Sequence, residues 1–263
     1  MGQIIQVLLY HRICDENEKT ESRFVVSKDT FRRQMAFLAD HGFYTPRLSD
    51  LLTGSRSSSR NGKRPIVITF DDGYLDNYQN ALPVLREFGF SATIFVVPDF
   101  SRRANWWDTQ GQLGNIELLQ SHHIKSMSDS GIEFGAHSYS HSSLPALDDR
   151  RLETELVKSK VTIEELLHQP LAVIAYPYGD VDMRVKSAAQ RAGFRCAFAA
   201  HTGPLRFYSD LFEIRRIPMC NRSSSVYLMF KFSGLDLLFR WALWRLKLLV
   251  GFKSAFHSDP SSK

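Results

Sequence analysis

Seven short apolar or β-branched runs recur along the chain, at residues 3–9, 65–70, 92–97, 132–136, 171–175, 195–199 and 213–218, each bounded by turn residues as strands are. Helical patterns lie between them. "SKDTFRRQMAFLADHGF" opens on Ser27 and Asp29 as cap candidates, sets Phe31, Met35 and Leu38 along one face, and stops at Gly42. "YLDNYQNALPVLREFGF" closes at Gly89 in the same way, with Pro83 marking a kink or a late helix start. Further patterns cover 148–168 and 182–193, the second ending at Gly193. Strand alternating with helix over most of the chain predicts a parallel sheet with helical crossovers, an α/β fold either open or closed into a barrel. In both architectures functional groups gather at the C-terminal ends of strands.

At 263 residues, 43% hydrophobic and 23% charged, the chain has the makings of a large globular core. Its net charge of +5 raises the question of a nucleic-acid partner, so the location of that charge matters. From residue 231 onward six Lys and Arg face two Asp and Glu, so the excess lies in the tail and in the short run "SRSSSRNGKR" rather than in a basic stripe on the body. No nucleic-acid partner is expected. Cys14, Cys196 and Cys220 are far apart and form no C-x-x-C pair, so reduced thiols are expected rather than a zinc ribbon or disulfide framework. "MGQIIQVLLYHRI" lacks a basic leading region and a small-residue cleavage site, and the expectation is a protein that stays in the cytoplasm. The Ser, Arg and Gly stretch 53–64 is expected to be a surface loop.

Chemistry enters where "IVITFDDGYLDN" ends a buried run in two adjacent carboxylates, Asp71 and Asp72. Like charges that close repel, so a positive group must sit beside them. "FGAHSYSHSSL" supplies a candidate setting, with His137 and His141 four residues apart just past another strand. On one helical turn that spacing puts both imidazoles on the same face, where a metal ion accepts them together. Two His and one carboxylate, Asp72, make a three-ligand site with open positions for water, the pattern of a catalytic metal. Asp71 is then left near a metal-bound water as general base. The alternative is that Asp71 and Asp72 cap a helix starting near Tyr74.

"TFDDG" and "HSYSH", in this order, resemble the first two motifs of the polysaccharide deacetylases, also called NodB-homology or family 4 carbohydrate esterases, and "AYPYGD" at 175–180 resembles the third. The resemblance covers about residues 4–220 and implies a distorted (β/α) barrel of about seven strands, NodB-like. It implies metal-dependent hydrolysis of the N-acetyl group of amino sugars, in a polysaccharide or a lipid-linked oligosaccharide. Asp71 carries over as base and Asp72, His137 and His141 as metal ligands. Zn2+ is the expected ion, and Co2+ or Ni2+ suits the same ligand set. Two departures stand out. Ala175 occupies the place of the arginine that steadies the base in many members, and Arg216, in "EIRRIPM", is the candidate to approach from another direction. The C-terminal Leu-x-His motif that carries the general acid is also missing after residue 201.

"LLYHRI" offers a replacement, because it resembles the opening of deacetylases whose motif order is circularly permuted, with the acid His first. His11 then donates the proton to the leaving amine, unless it is a strand-end His bonded locally to backbone. His201 is the reserve candidate. Backbone N–H groups around Tyr178, in a turn fixed by Pro177, are expected to hold the oxyanion. Trp107, in "NWWD", serves either as a platform for a sugar ring or as loop packing. Two rival functions stay open: a non-catalytic carbohydrate-binding protein that keeps the metal, and a deacylase of small acylated amines.

The catalytic domain is expected to span 1–230, followed by an apolar and basic helix and tail over 231–263. Within 235–252, Arg240, Arg245 and Lys247 each cost roughly 2.5–3.5 kcal/mol at the middle of a bilayer, which argues against a spanning helix. Either this segment lies in the interface of the inner membrane face, with Trp241 and Trp244 at headgroup depth, or it packs on the barrel.

Overall fold

The structure is a computed structural model that describes residues 5–15, 22, 24–52, 62–108, 115–200, 207–223 and 227–228. The expectations that fall on 53–61, on His201 and on 231–263 lie outside the described residues. Met1–Arg222 form one compact unit, and Ser223–Lys263 are assigned to a second.

The first unit is built on parallel strands. In chain order these are β1 (Gln6–Tyr10), β2 (Arg12–Cys14), β3 (Val25–Ser27), β4 (Phe43–Tyr44), β5 (Arg64–Phe70), β6 (Thr93–Val96), β7 (Glu133–Ala136), β8 (Val173–Ala175), β9 (Cys196–Phe198) and β10 (Ile217–Pro218). Seven of them form one curled sheet in the order β10-β1-β5-β6-β7-β8-β9, with β4 added on β5, while β2 and β3 pair separately. The two ends of the sheet meet through residues 214–219. Ile214 bridges Phe198 at one edge, and the Met219 N–H donates to the Leu9 carbonyl at the other (2.9 Å). All seven expected strands are present, and the distorted barrel that the family resemblance implied is seen as parallel strands curled into a half-barrel.

The crossovers are α1 (Lys28–Asp40), α2 (Leu48–Leu52), α3 (Leu82–Glu87), α4 (Ser121–Asp129), α5 (Asp149–Leu167) and α6 (Met183–Arg191). Their starts follow from short polar side chains that take up free backbone N–H groups. Ser27 accepts from the Thr30 N–H, Asp148 from Arg151 and Asp182 from Val185. The apolar face read from the α1 pattern is the buried one, carrying Phe31, Met35 and Leu38. Pro83 does not kink a long helix. Residues Asn77–Ala81 wind as one π-helical stretch that runs directly into α3, and Pro83 sits in the first turn of α3. Among the described residues no helix is long and apolar enough to cross a membrane.

The barrel interior is filled by alternate residues of the strands, Val7, Val67, Phe95, Val173 and Phe198 among them. Gly135 of β7 leaves room for one of those rings. A Cβ there would lie 2.5 Å from Phe95 Cδ1 and 2.9 Å from Val173 Cγ2. Gly135→Ala is therefore expected to destabilise the protein by about 1–3 kcal/mol through overpacking. Urea unfolding checks this: the midpoint should fall with little change in slope.

Candidate metal centre

The parallel register brings the strand ends to one rim. Tyr10 lies opposite Phe70, Phe70 opposite Ile94, Val96 opposite Ala136, and Ala175 opposite Phe198. His11, Asp71 and His137 are each the first residue off their strand. Inward-facing positions alternate along β5, so Val67, Thr69 and Asp71 share the interior face. Asp72 would then point outward, but the backbone turns there. Asp72 and Gly73 both have φ of 72°, a left-handed pair that separates the two carboxylates. Gly73 is required twice over, since a Cβ at that position would also meet Val96 Cγ1 at 2.8 Å. Neither aspartate caps a helix: the first helical stretch after them starts at Asn77.

Asp72, His137 and His141 are buried, and their ligand atoms all lie within 4.8 Å of one another. Asp72 Oδ1 is 3.4 Å from His137 Nε2 and 3.1 Å from His141 Nε2. His137 Nδ1 donates to the Ala175 carbonyl at 2.8 Å, which turns the lone pair of a neutral ring toward Asp72. His141 Nδ1 is 3.2 Å from the Tyr178 hydroxyl. Lone pairs and a carboxylate oxygen thus converge on one point, a donor set that fits a divalent cation. The electrostatics agree. Burial pushes the Asp72 carboxyl up, but the imidazoles of His137 and His141, when protonated, hold it well below the usual carboxylate range. Burial would lower His137, yet Asp71 and Asp72 raise it above its ordinary value, while burial prevails at His141 and lowers it.

The helical turn expected for "HSYSH" is not present. Residues 138–142 form a loop in which Ser138 and His141 are left-handed, with φ of 55° and 60°. Its N–H groups are taken from outside. Glu155 on α5 accepts from the Tyr139 and Ser140 N–H groups, both at 2.8 Å, and from the Ser140 hydroxyl at 2.6 Å. The imidazoles still meet, with ring centroids 4.9 Å apart, because this carboxylate folds the loop rather than because of helical periodicity.

Asp71 goes the other way, to Arg216. The guanidinium makes a two-pronged contact, Nη1 to Oδ1 at 2.6 Å and Nη2 to Oδ2 at 2.7 Å. It also donates to the Ala199 carbonyl (2.8 Å) and lies 5.6 and 6.0 Å from the ring centres of Phe95 and Phe198. Arg216 is only 2% exposed, so both partners are out of water. Burial pushes the Asp71 carboxyl up, and the charges of Arg216 and His137 more than offset it, leaving Asp71 below the usual range. Ala175 is buried in the interior cluster, and the arginine missing there is replaced from the segment leading into β10.

The softer site residues are also on this rim. His11 is half-buried against Phe24, with ring centroids 4.9 Å apart. Burial lowers its pKa, while Asp72 and Asp71 pull it upward and Arg216 and His137 press it down. His11 thus feels the charges of Asp71, Asp72, Arg216 and His137 alike. The Trp107 ring stacks on His141 at 4.5 Å and 16°. Tyr178, 59% exposed, meets the same imidazole edge-on at 4.8 Å. Pro177 opens the turn, Tyr178 is left-handed with φ of 62°, and a Cβ on Gly179 would fall 2.8 Å from the Ala200 nitrogen. Of the five non-glycine residues with positive φ among the described residues, four (Asp72, Ser138, His141 and Tyr178) surround the cluster, as strain at functional sites does. Glu155 was missed in the sequence, where it reads as one more charge on the outer face of an amphipathic helix.

The chain is similar to known proteins in sequence and in fold. The chain is 27% identical over 215 residues to YxkH of Bacillus subtilis (strain 168), covering 81% of this chain and 70% of that one. It is 24% identical to a poly-β-1,6-N-acetyl-D-glucosamine N-deacetylase of Staphylococcus aureus (strain MSSA476), over 80% of this chain and 77% of that protein. The fold is that of the deacetylase PplD of Streptococcus pyogenes, with a TM-score of 0.72, 23% identity, and coverage of 87% of this chain and 98% of that one. A polysaccharide deacetylase of Bacillus cereus superposes with a TM-score of 0.67 at 27% identity, covering 86% of this chain and 68% of that one. The sequence profile of polysaccharide deacetylases matches residues 58–197, over half of the chain and including Asp71, Asp72, His137 and His141, so the chain belongs to this family of metal-dependent amide hydrolases.

Proposed function

We propose that the protein removes N-acetyl groups from amino sugars of a polysaccharide or a lipid-linked oligosaccharide, using one divalent cation, Zn2+ before Co2+ or Ni2+. The observation that carries this reading is the separate fate of the two adjacent carboxylates, one facing two imidazoles and the other an arginine. When bound, the cation supplies Lewis acidity, polarising the acetyl carbonyl and acidifying water. Asp71 takes the proton from the attacking water, and Arg216 keeps that carboxylate ionised, oriented and out of the ligand set. His11 gives a proton to the nitrogen as the amide bond breaks, an assignment supported by its place beside Asp71 in the strand register. The Tyr178 N–H, set by the left-handed turn after Pro177, faces the developing oxyanion. Trp107 and the exposed Tyr178 ring flank His141 and offer apolar surface to the acetylated sugar.

The substrate class is supported by the Staphylococcus aureus relative, an N-deacetylase of an N-acetylglucosamine polymer. A binding protein without turnover was favoured by Ala175 alone, and the Arg216–Asp71 pair removes that motive. For location we propose the cytoplasm, with 235–252 resting on the inner membrane face. What supports this is the mixture of tryptophans and cations in that run.

Acetate release from β-1,6-linked N-acetylglucosamine oligomers tests the reading. Asp71→Asn should lower kcat by about 10²–10⁴-fold while the protein still binds one metal ion per chain. Arg216→Lys, which cannot grip the carboxylate at two points, should retain the metal and lose about 10²-fold in kcat through misplacement of the base. Arg216→Ala leaves a buried carboxylate unpaired and should cost about 3–5 kcal/mol of stability as well. An Asp71→Asn variant that keeps full turnover would rule the base assignment out.

A further inference from the structure

Past the catalytic aspartates the chain carries an unexplained polar string, "LDNYQN", in a helical segment whose inner face should be apolar. Asp76 and Asn80 are 7% exposed, Asn77 not at all, and all three point at the backbone that carries His11. Asn77 Nδ2 donates to the carbonyl of His11 itself, at 2.8 Å. Asn80 Nδ2 donates to the Ile13 carbonyl at 2.8 Å, and Asp76 Oδ1 accepts from the Ile13 N–H at 3.2 Å. The other Asp76 oxygen accepts from Arg12 Nε at 2.8 Å, and Arg12 is 6% exposed. Just before this, the Asp71 N–H donates to the Tyr10 carbonyl at 3.0 Å.

We propose that Asp76, Asn77 and Asn80 are positioning residues that clamp the His11 backbone, so that the segment 71–80 ties the acid to the base and a metal ligand. The proposal rests on the reading of His11 as general acid. The winding of the segment fits the task. Residues Asn77–Ala81 form a π-helical stretch, a wider turn than an α-helix and a feature concentrated at functional sites. Apolar side chains at 76, 77 and 80 would leave the His11 carbonyl and both backbone groups of Ile13 without these partners. Instead each group bonds β1–β2 backbone within two residues of His11.

In the step served, water oxygen adds to the acetyl carbon, the C–N bond breaks with its electron pair going to nitrogen, and His11 supplies the proton that nitrogen takes up. The products are acetate and the free amine. An amine cannot leave without that proton, whereas 4-nitrophenolate can. The test therefore compares two substrates on the zinc-loaded full chain, a β-1,6-linked N-acetylglucosamine oligomer and 4-nitrophenyl acetate.

Asn77→Ala, Asn80→Ala and Asp76→Asn should each lower kcat on the oligomer by about 10–100-fold, the cost of a misplaced catalytic group. KM, zinc content and aryl acetate hydrolysis should stay within about twofold of wild type. His11→Ala should show the same selectivity, and adding Asn77→Ala to it should cost nothing more, because residues acting through one group are not additive. Equal loss on both substrates in the single variants, or a further loss in the double variant, overturns the clamp. A His11→Ala protein with intact oligomer turnover overturns the acid assignment instead, and that result is separate from the behaviour of the Asn variants.

Discussion

Two carboxylates on neighbouring residues at the end of a buried strand cannot share one environment. Each is out of water, each is charged, and their mutual repulsion is strongest in the low dielectric of the interior. The structure separates them by turning the backbone left-handed at Asp72. Asp71 keeps the inward face of β5 and receives Arg216, and Asp72 is carried to His137 and His141. The division is also chemical. A carboxylate bound on both oxygens by an arginine is a poor metal ligand and a well-placed base, and one facing two imidazole nitrogens is the reverse.

The rest of the site reads as what such a division requires. Arg216 must be buried, and its guanidinium lies over the touching rings of Phe95 and Phe198. His141 must come back to His137 within a short loop, so two left-handed residues are tolerated and Glu155 takes up the N–H groups that a helix would have satisfied internally. Tyr178 is left-handed over the same centre. Strain of this kind costs on the order of 1–3 kcal/mol per residue and persists only where surrounding contacts over-determine it. The sheet supplies those contacts, since its parallel register delivers every one of these loops to the same rim.

The strands were legible because their apolar runs are short and punctuated by turns, and the cluster of Asp72, His137 and His141 because "TFDDG" and "HSYSH" each follow such a run. Short pairings such as β2 with β3, and the helix α4 with its weakly apolar "SHHIKSMSD", left no comparable trace. The His137–His141 spacing was read as helical periodicity, and that inference was wrong although the pair is real: four residues of loop can close the same gap when an outside carboxylate holds them. Arg216 could be named only as a candidate, because nothing local ties residue 216 to residue 71. That contact exists only once the sheet has curled and its ends have met at 214–219. The polar string at 76–80 was visible but was absorbed into an amphipathic pattern, since burial of Asn77 against His11 depends on β1 lying beside β5.

The central claim is that one cation is held by Asp72, His137 and His141 while Asp71 stays with Arg216. Anomalous diffraction from crystals grown with Zn2+ measures this directly. The account predicts a single strong peak about 2.0–2.2 Å from one Asp72 oxygen and from Nε2 of both histidines, with the Arg216–Asp71 contact intact. A peak ligated by Asp71, or zinc bound only at other residues, would contradict it.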